Sequence, residues 1–408
     1  MAGRSPSEPT RRPLAAVFLA TFFVRFGFGI TIAIFAAYIT HHSSGLTGSD
    51  VGTAGFVSAL APVGEFLTVL LSGAAADRWG RFPVLFGGMG SAAVIFAVVA
   101  ATRSVVVLGI ANFVFGIASG AILASSLAVV ADSSGSDERG LEMGRFDAMN
   151  LSGWIAGFAF GFGALGALPN AQLGEIFVLG AIVLAVGVVG AAAIVRGIPA
   201  RAHPVGLGVG RLLRSAFRRT VLVVTLPWFV IYALIGTALV FLGPAANGIG
   251  VSPLYLAAGI GGAGAILVLT QPYFGTLADR VGRTRMMTVG AGGFVAVMLF
   301  ASLLIAYGPL WPFLVGIGVS ILLALAYGPA ALAALADLAG ALSRATTMAI
   351  YSLTISSGML VGLLASTGLY DRLGNAGIYL FFGAIATVLG LLTAARIVEA
   401  RRATIPVR

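Results

Sequence analysis

The chain has 408 residues, of which 59% are hydrophobic and only 9% are charged, whereas a soluble domain carries roughly 25% charged residues. It contains no Cys, and all 24 basic residues are Arg. This composition excludes a disulfide scaffold, a Cys-ligated metal site, a Walker A phosphate loop and a Schiff-base Lys. The net charge of +10 is dispersed between long apolar runs, so we predict a polytopic membrane protein and no nucleic-acid partner.

Apolar stretches long enough to cross a bilayer, which takes about 20 helical residues, occur twelve times along the chain. In the first half they run approximately over 14–39, 51–75, 83–101, 104–131, 147–168 and 175–195. In the second half they run approximately over 220–243, 252–277, 286–306, 310–336, 347–370 and 376–395. The sequence therefore predicts an all-α integral membrane fold with 12 transmembrane helices.

The Arg residues indicate how these spans are oriented. All but three of the 24 Arg lie in the two termini and in the loops that alternate with them on the same side of the membrane. The exceptions are Arg25, Arg103 and Arg372. Because cytoplasmic loops are enriched in positive charge, both termini are predicted to be cytoplasmic.

A nine-residue motif, G-x-x-x-D-R-x-G-R, begins at Gly73 and recurs half a chain later at Gly275. The pairs Asp132 and Asp337, Arg139 and Arg344, Gly153 and Gly358, and Gly157 and Gly362 continue this correspondence. Six spans repeated in the same orientation predict two pseudo-symmetric six-helix bundles. We place the bundles at 1–195 and 220–408, joined by a basic cytoplasmic linker, 196–219, that suits anionic lipid headgroups.

The motif between spans 2 and 3, its echo between spans 8 and 9, and Arg139-Gly140 with Gly144 before span 5 resemble the signature of the major facilitator superfamily. The resemblance covers essentially the whole chain and implies transport by alternating access. Gly153, Gly157 and Gly161 on span 5 resemble the antiporter motif of the exporters in that family. The expected Gly-Pro pair is absent, however, because Phe158 follows Gly157, so close helix packing is an equally good interpretation of these glycines.

The repeated motif predicts a gate at the cytoplasmic ends of the helices. Gly73 allows close helix approach and Gly80 a tight turn, and we expect Arg81 to reach Asp132. The resemblance implies that such a charge relay stabilises the outward-facing state. The predicted gate comprises Gly73, Asp77, Arg78, Gly80, Arg81 and Asp132, together with the second-half set Asp279, Arg283 and Asp337. The alternative is that these charges only cap helices and fix topology.

Arg25 and Glu65 are the two charged residues that we place deep within spans, at similar depth. We predict that Glu65 carries a proton and that Arg25 sets its proton affinity; the alternative is a permanent buried ion pair. The predicted substrate cavity is lined by Asn112, Trp154, Trp228, Tyr232, Gln271 and Tyr327. Helix bridging by Asn112 and membrane-interface anchoring by the aromatic residues are the alternatives.

These features predict a secondary active transporter, with proton-coupled efflux of lipophilic or weakly charged small molecules as the first hypothesis. The alternative is a proton symporter or uniporter of a small metabolite such as a sugar or organic acid. An intramembrane enzyme would need a clustered nucleophile, base or metal set, which the predicted spans lack. The expected partners are a small-molecule substrate, protons and membrane lipids. We expect no cofactor and no metal, and a monomer in the plasma membrane.

Overall fold

A computed structural model describes residues 8–42, 51–135, 138–169, 172–196, 219–248, 252–307, 311–338, 344–373 and most of 381–392. All regular structure within these residues is helical. The first half contains α1 (Glu8–His42), α2 (Val51–Trp79), α3 (Arg81–Ala101), α4 (Val105–Ser133), α5 (Arg139–Ala167) and α6 (Leu173–Ile194). The second half contains α7 (Arg219–Gly248), α8 (Pro253–Val281), α9 (Arg283–Tyr307), α10 (Trp311–Ala324), α11 (Tyr327–Leu338) and α12 (Arg344–Leu373). A short apolar helix at Gly383–Leu392 follows α12 and lies within predicted span 12, 376–395.

The helices have the length and composition that a bilayer requires. Eight helical stretches in the described ranges are long and apolar enough to cross a membrane. Large apolar side chains point outward from the bundles, as on α10, where Trp311, Val315, Val319 and Leu323 are exposed at helical spacing. Such a stripe suits lipid tails because they are as apolar as the side chains. The prediction of an all-α membrane fold is confirmed.

The helices form two bundles that are related by the repeat in the sequence. In the first bundle α1 packs on α5 and α2 on α4; in the second, α7 packs on α12. The two most extensive contacts between the bundles are those of α5 with α8 and of α2 with α12, and the repeat exchanges one pair for the other. Residues 197–218 lie outside the described residues, so the domain boundaries at 195 and 220 stay predictions.

Glycines set the distance between the helices that carry the site. A Cβ added at Gly157 of α5 would clash with the Phe26 carbonyl oxygen of α1, and one added at Gly116 of α4 would clash with the Ala61 carbonyl oxygen of α2. In the second bundle a Cβ at Gly362 would clash with the carbonyl oxygen of Ala233 on α7. The glycines of the predicted antiporter motif thus act in close helix packing in this structure.

Predicted span 10, 310–336, differs from a single straight helix because it is divided at Leu325 and Ala326 into α10 and α11. Pro329 explains the division. It has no N–H for the carbonyl oxygen of Leu325, and its ring displaces that carbonyl group. Leu325 still donates its N–H group to Ile321, four residues earlier, whereas Ala326 donates to Leu323, three residues earlier, each at 3.1 Å.

Candidate functional site

Arg25 lies where α1 and α5 are in closest contact. A Cβ added at Gly153 of α5 would lie 2.7 Å from the Arg25 Cβ, so the absence of a side chain there makes room for this residue. Arg25 is 3% exposed and its Nε donates a hydrogen bond of 2.8 Å to Asn150 Oδ1. Its guanidinium carbon lies 5.5 Å from the ring centre of Phe28 and 5.8 Å from that of Trp154. The charge is therefore held by a neutral amide and two aromatic faces.

Glu65 lies on α2 at the contact between the two bundles. It is 2% exposed, and its backbone is pressed against α4, where a Cβ at Gly116 would lie 2.9 Å from the Glu65 nitrogen. Ser352 of α12 donates its hydroxyl to Glu65 Oε1. A carboxyl group of the first bundle is thus hydrogen-bonded by a hydroxyl group of the second.

Arg25 and Glu65, both within the described residues, do not form an ion pair in this structure. The alternative that a permanent salt bridge locks spans 1 and 2 together is therefore wrong for this conformation. Arg25 faces α5 and Glu65 faces α12, although their charges are close enough to interact electrostatically. Similar depth in the membrane does not decide which way a side chain points around its helix axis.

Asp147 is a third deep charge, and the sequence analysis missed it. It is 7% exposed and its carboxyl group interacts with the side chain of Asn150. Predicted span 5 began at 147, which put Asp147 at a helix end; α5 in fact begins at Arg139, about two turns earlier. The signal in the sequence was the spacing of Asp147, Asn150 and Trp154, which puts three polar or amphipathic side chains on one helix face.

Gln271 of α8 joins this cluster from the second bundle. It is 1% exposed, and its Oε1 accepts no hydrogen bond within the described part of the chain. A Cβ added at Gly328 of α11 would clash with Asp147 Oδ2 and would lie 3.9 Å from Gln271 Oε1. The Asp147 carboxyl group therefore packs against the backbone of α11, with Gln271 Oε1 near the same point, and this close approach is possible because residue 328 is glycine.

Aromatic residues of the second bundle form one wall beside these groups. The ring centres of Trp228 and Tyr351 are 4.4 Å apart, and the hydroxyl oxygens of Tyr232 and Tyr351 are 3.2 Å apart. Tyr327 packs on Trp228 and donates its hydroxyl group to the Val224 carbonyl oxygen at 2.7 Å. Trp228, Tyr232 and Tyr327 of the predicted cavity thus lie together, with Tyr351 as a member that the sequence analysis missed.

Asn112 lies apart from this cluster. Its Nδ2 donates to the carbonyl oxygens of Val57 and Ser58, at 2.8 and 3.0 Å. The side chain thereby connects α4 to α2, which is the helix-bridging alternative named above. A role for Asn112 in substrate binding stays a prediction.

The first copy of the repeated motif forms a compact charge cluster at the end of α2. Gly80 has a φ of 97°, a left-handed conformation that glycine adopts without strain, and it separates α2 from α3. Arg81 is buried and forms ion pairs with Asp132 of α4 and, at 3.6 Å, with Asp77. Gly73 is buried on α2, whereas Arg78 is exposed. The contact expected between Arg81 and Asp132 is present; its function as a gate stays a prediction.

The second copy reproduces this geometry and extends it to the other bundle. Gly282 has a φ of 105°, and Arg283 pairs with Asp337 and, at 3.7 Å, with Asp279. Asp337 also forms an ion pair with Arg139 at the start of α5. Four charges in a row thus connect the second bundle to the first.

Asp279 also caps α5 across the bundle interface. Its two carboxylate oxygens accept hydrogen bonds from the backbone N–H groups of Gly140 at 3.0 Å and Leu141 at 3.1 Å. First-turn N–H groups have no acceptor within their own helix, so a carboxylate there both bonds them and complements the helix dipole. Asp279 lies beyond the predicted span 252–277; burial raises the pKa of its carboxyl group, against the lowering effect of the two amides and Arg283.

The contact between α5 and α8 runs from this cap to the opposite end of the helix pair. Gly140 faces Gly275 at one end, Gly264 faces Ile155 further along, and Gly166 faces Leu254 at the other end. Along this helix pair the bundles are in contact at both ends in the described conformation. Asp147 and Gln271, which these two helices carry, therefore lie between two closed ends of the α5–α8 contact.

Two six-helix bundles with a buried polar cluster between them are the architecture of a secondary transporter. The sequence profile of the Major Facilitator Superfamily matches residues 17–270 and 262–406. The chain belongs to this family. It is a multi-pass membrane transporter that takes a small-molecule substrate.

Solved structures share the fold at low sequence identity. The human organic anion transporter MFSD10 (TETRAN) is 19% identical, with a TM-score of 0.77, and the match covers 95% of this chain and 100% of that one. The proton:xylose symporter XylE, bound to 6-bromo-6-deoxy-D-glucose, is 16% identical, with a TM-score of 0.72 and 96% coverage of each chain. At these identities the similarity establishes the fold and does not specify the substrate.

Proposed function

We propose that this transporter couples the export of lipophilic or weakly charged small molecules to proton entry, with Glu65 as the proton-carrying group. The observation that carries the proposal is the hydrogen bond from Ser352 to Glu65 across the bundle interface. Separation of the bundles must break this bond and admit water to the carboxyl group. The proton affinity of Glu65 then differs between conformations, which is the thermodynamic requirement for coupling.

Arg25 is proposed to adjust the proton affinity of Glu65 without carrying the proton itself. A guanidinium group stays charged in proteins because its pKa lies above about 12. Arg25 is held by Asn150, Phe28 and Trp154 of the first bundle, so rearrangement of α1 or α5 changes its distance from Glu65.

The gate and cavity residues complete the proposal: the charges at the cytoplasmic ends hold that side closed, and the aromatic wall contacts the substrate.

The test is transport by purified protein in liposomes with and without an imposed pH gradient, using a broad panel of amphipathic compounds. We expect Glu65→Gln to lose gradient-driven accumulation while it retains substrate exchange at equal pH. Glu175→Gln is the matched control, because Glu175 is an exposed carboxylate at the start of α6. Unchanged gradient-driven accumulation by Glu65→Gln would contradict the proposal, and substrate movement in the same direction as the proton would favour the symporter.

We further propose that the chain lies in the plasma membrane with both termini cytoplasmic. The asymmetric distribution of Arg between the two sides supports this orientation. The repeated motifs, their ion pairs and the cap on α5 then all lie on the cytoplasmic side.

A further inference from the structure

The buried charges at the seam do not balance. Apart from the gate residues and Glu142, which is paired with Arg145 near the start of α5, the described spans bury Arg25, Glu65 and Asp147, which is one cationic group against two acidic ones. Arg25 is bonded to a neutral amide, and Asp147 forms no ion pair among the described residues. A buried charge is costly unless it is paired or neutralised. The seam is therefore balanced by one additional positive charge, which a proton supplies in the absence of ligand and a cationic ligand supplies when it is bound.

The position of that charge is indicated by two acceptor oxygens from opposite bundles. Asp147 Oδ2 and Gln271 Oε1 both face Gly328, and both residues are more than nine-tenths buried. Gln271 Oε1 receives no donor within the described residues. A buried acceptor that lacks a donor costs about 1–3 kcal/mol. The unsatisfied Gln271 Oε1, placed beside the Asp147 carboxyl group, selects a partner with several N–H groups.

The surrounding groups are consistent with a cation. Asp147 interacts electrostatically with Arg25 on α1, Tyr232 on α7 and Tyr351 on α12, and Tyr232 interacts with Glu65 on α2. Beside Asp147, α8 and α11 contribute the uncharged residues Gln271 and Gly328. The closely packed, tilted rings of Trp228 and Tyr351 add aromatic faces, which attract cations. An anionic substrate would meet two carboxyl groups here against one guanidinium.

We propose that Asp147 and Gln271 form the recognition point for a protonated amine, so that the substrate class is a monovalent organic ammonium with an apolar body. The ammonium N–H groups donate to Asp147 Oδ2 and Gln271 Oε1, and the apolar body lies against the aromatic wall. The proton that neutralises Asp147 in the absence of substrate leaves to the water on whichever side is open. This inference rests on the proposed function and specifies its substrate.

The test compares three probes that share a ring and differ in charge: 1-naphthylmethylammonium, neutral 1-naphthalenemethanol and anionic 1-naphthoate. Their binding to the purified full-length protein in detergent is measured by calorimetry at equal pH. We expect wild type to prefer the ammonium compound, and Asp147→Asn to weaken its binding by at least about tenfold, since a buried charge partner is lost. Binding of the alcohol should change less than about twofold, and Glu175→Gln should change neither.

Two results would overturn the proposal: stronger binding of naphthoate than of the ammonium compound by wild type, or undiminished ammonium binding by Asp147→Asn. If that variant does not fold, proton release decides with wild type alone. Ammonium binding in weakly buffered solution should release protons, whereas binding of the alcohol should release none. Equal release by both probes would also contradict the proposal.

These binding measurements need no pH gradient, so they separate the inference from the proposed function. Charge-selective binding that depends on Asp147, combined with gradient-driven accumulation that survives Glu65→Gln, would overturn proton coupling by Glu65 and leave ammonium recognition standing. Loss of gradient-driven accumulation in Glu65→Gln, combined with binding that does not discriminate between the three probes, would overturn ammonium recognition and leave proton coupling standing.

Discussion

The cap that Asp279 places on α5 predicts that one substitution shifts the conformational equilibrium of the whole protein. Asp279→Asn keeps a single acceptor oxygen, so one of the two bonds to Gly140 and Leu141 is lost, and the charge that complements the α5 dipole disappears. Hydrogen bonds to charged groups contribute about 1.5–3 kcal/mol, and helix caps about 0.5–2 kcal/mol. After the remaining bond is allowed for, we expect the state in which the bundles are closed at this end to lose about 1–2 kcal/mol of stability, which is about 5–30-fold in the closed-to-open ratio.

The chain has no native Cys. Spin labels can therefore be attached to Cys residues introduced at chosen sites, and no native Cys has to be removed first. Trp79 and Val281 are exposed at the ends of α2 and α8, one in each bundle, and their motif positions correspond. Labels at Trp79→Cys and Val281→Cys report how far apart the bundles are at the cytoplasmic face. Asp279→Asn should increase the population with long distances, whereas Arg285→Gln, an exposed charge near the start of α9, should not.

A distance distribution in Asp279→Asn that matches wild type would refute this reasoning. It would mean that the cap satisfies the α5 terminus without contributing to the conformational equilibrium, because water solvates the freed amides equally well. A shift of the same size in Arg285→Gln would show that any change of surface charge suffices, and the specific bonds to Gly140 and Leu141 would then not be its cause.

Two further predictions concern packing and topology. Gly157→Ala should lower the melting temperature of the purified protein, at a cost of about 1–3 kcal/mol, because the new Cβ meets the backbone of Phe26 and Gly29. Gly90→Ala, on α3 with no atom within 4 Å of the added Cβ, should not lower it, and equal melting temperatures would contradict the packing argument. A reporter fused after Arg408 should be accessible only from the cytoplasm. Its modification by a membrane-impermeant reagent added outside intact cells would contradict the orientation.

The sequence alone predicted the membrane class, the helical repeat and the contact between Arg81 and Asp132. Each of these follows from a local pattern: an apolar run of fixed length, a motif that recurs, or a charge at a helix end. Gly80 and Gly282 were similarly predictable, because a tight turn between two spans needs a left-handed residue.

Other parts of the site depend on how helices are rotated against one another, which a single sequence does not specify. Arg25 and Glu65 lie at similar depth but face different neighbours, so the alternative of a direct ion pair is not found in this conformation, whereas their coupling through proton affinity stays a prediction. Asp147 was missed because the apolar stretch used to define span 5 begins after the polar first turns of α5. The hydrogen bonds that Asp279 accepts from backbone amides of the other bundle could not be predicted, because a backbone N–H group is present at almost every residue and produces no pattern in the sequence.

The division between α10 and α11 at Pro329 has a mechanical consequence. Both segments pack on α9, but α10 exposes an apolar stripe, whereas α11 also contacts α5, α8 and α12 and is almost entirely buried. The backbone ladder is already interrupted between them, so bending there sacrifices little hydrogen bonding. The outer segment can stay anchored in the bilayer while the inner segment follows the moving interface. The two segments of the second bundle can then move relative to one another at Leu325 and Ala326, and movement of α11 need not displace lipid on the α10 side.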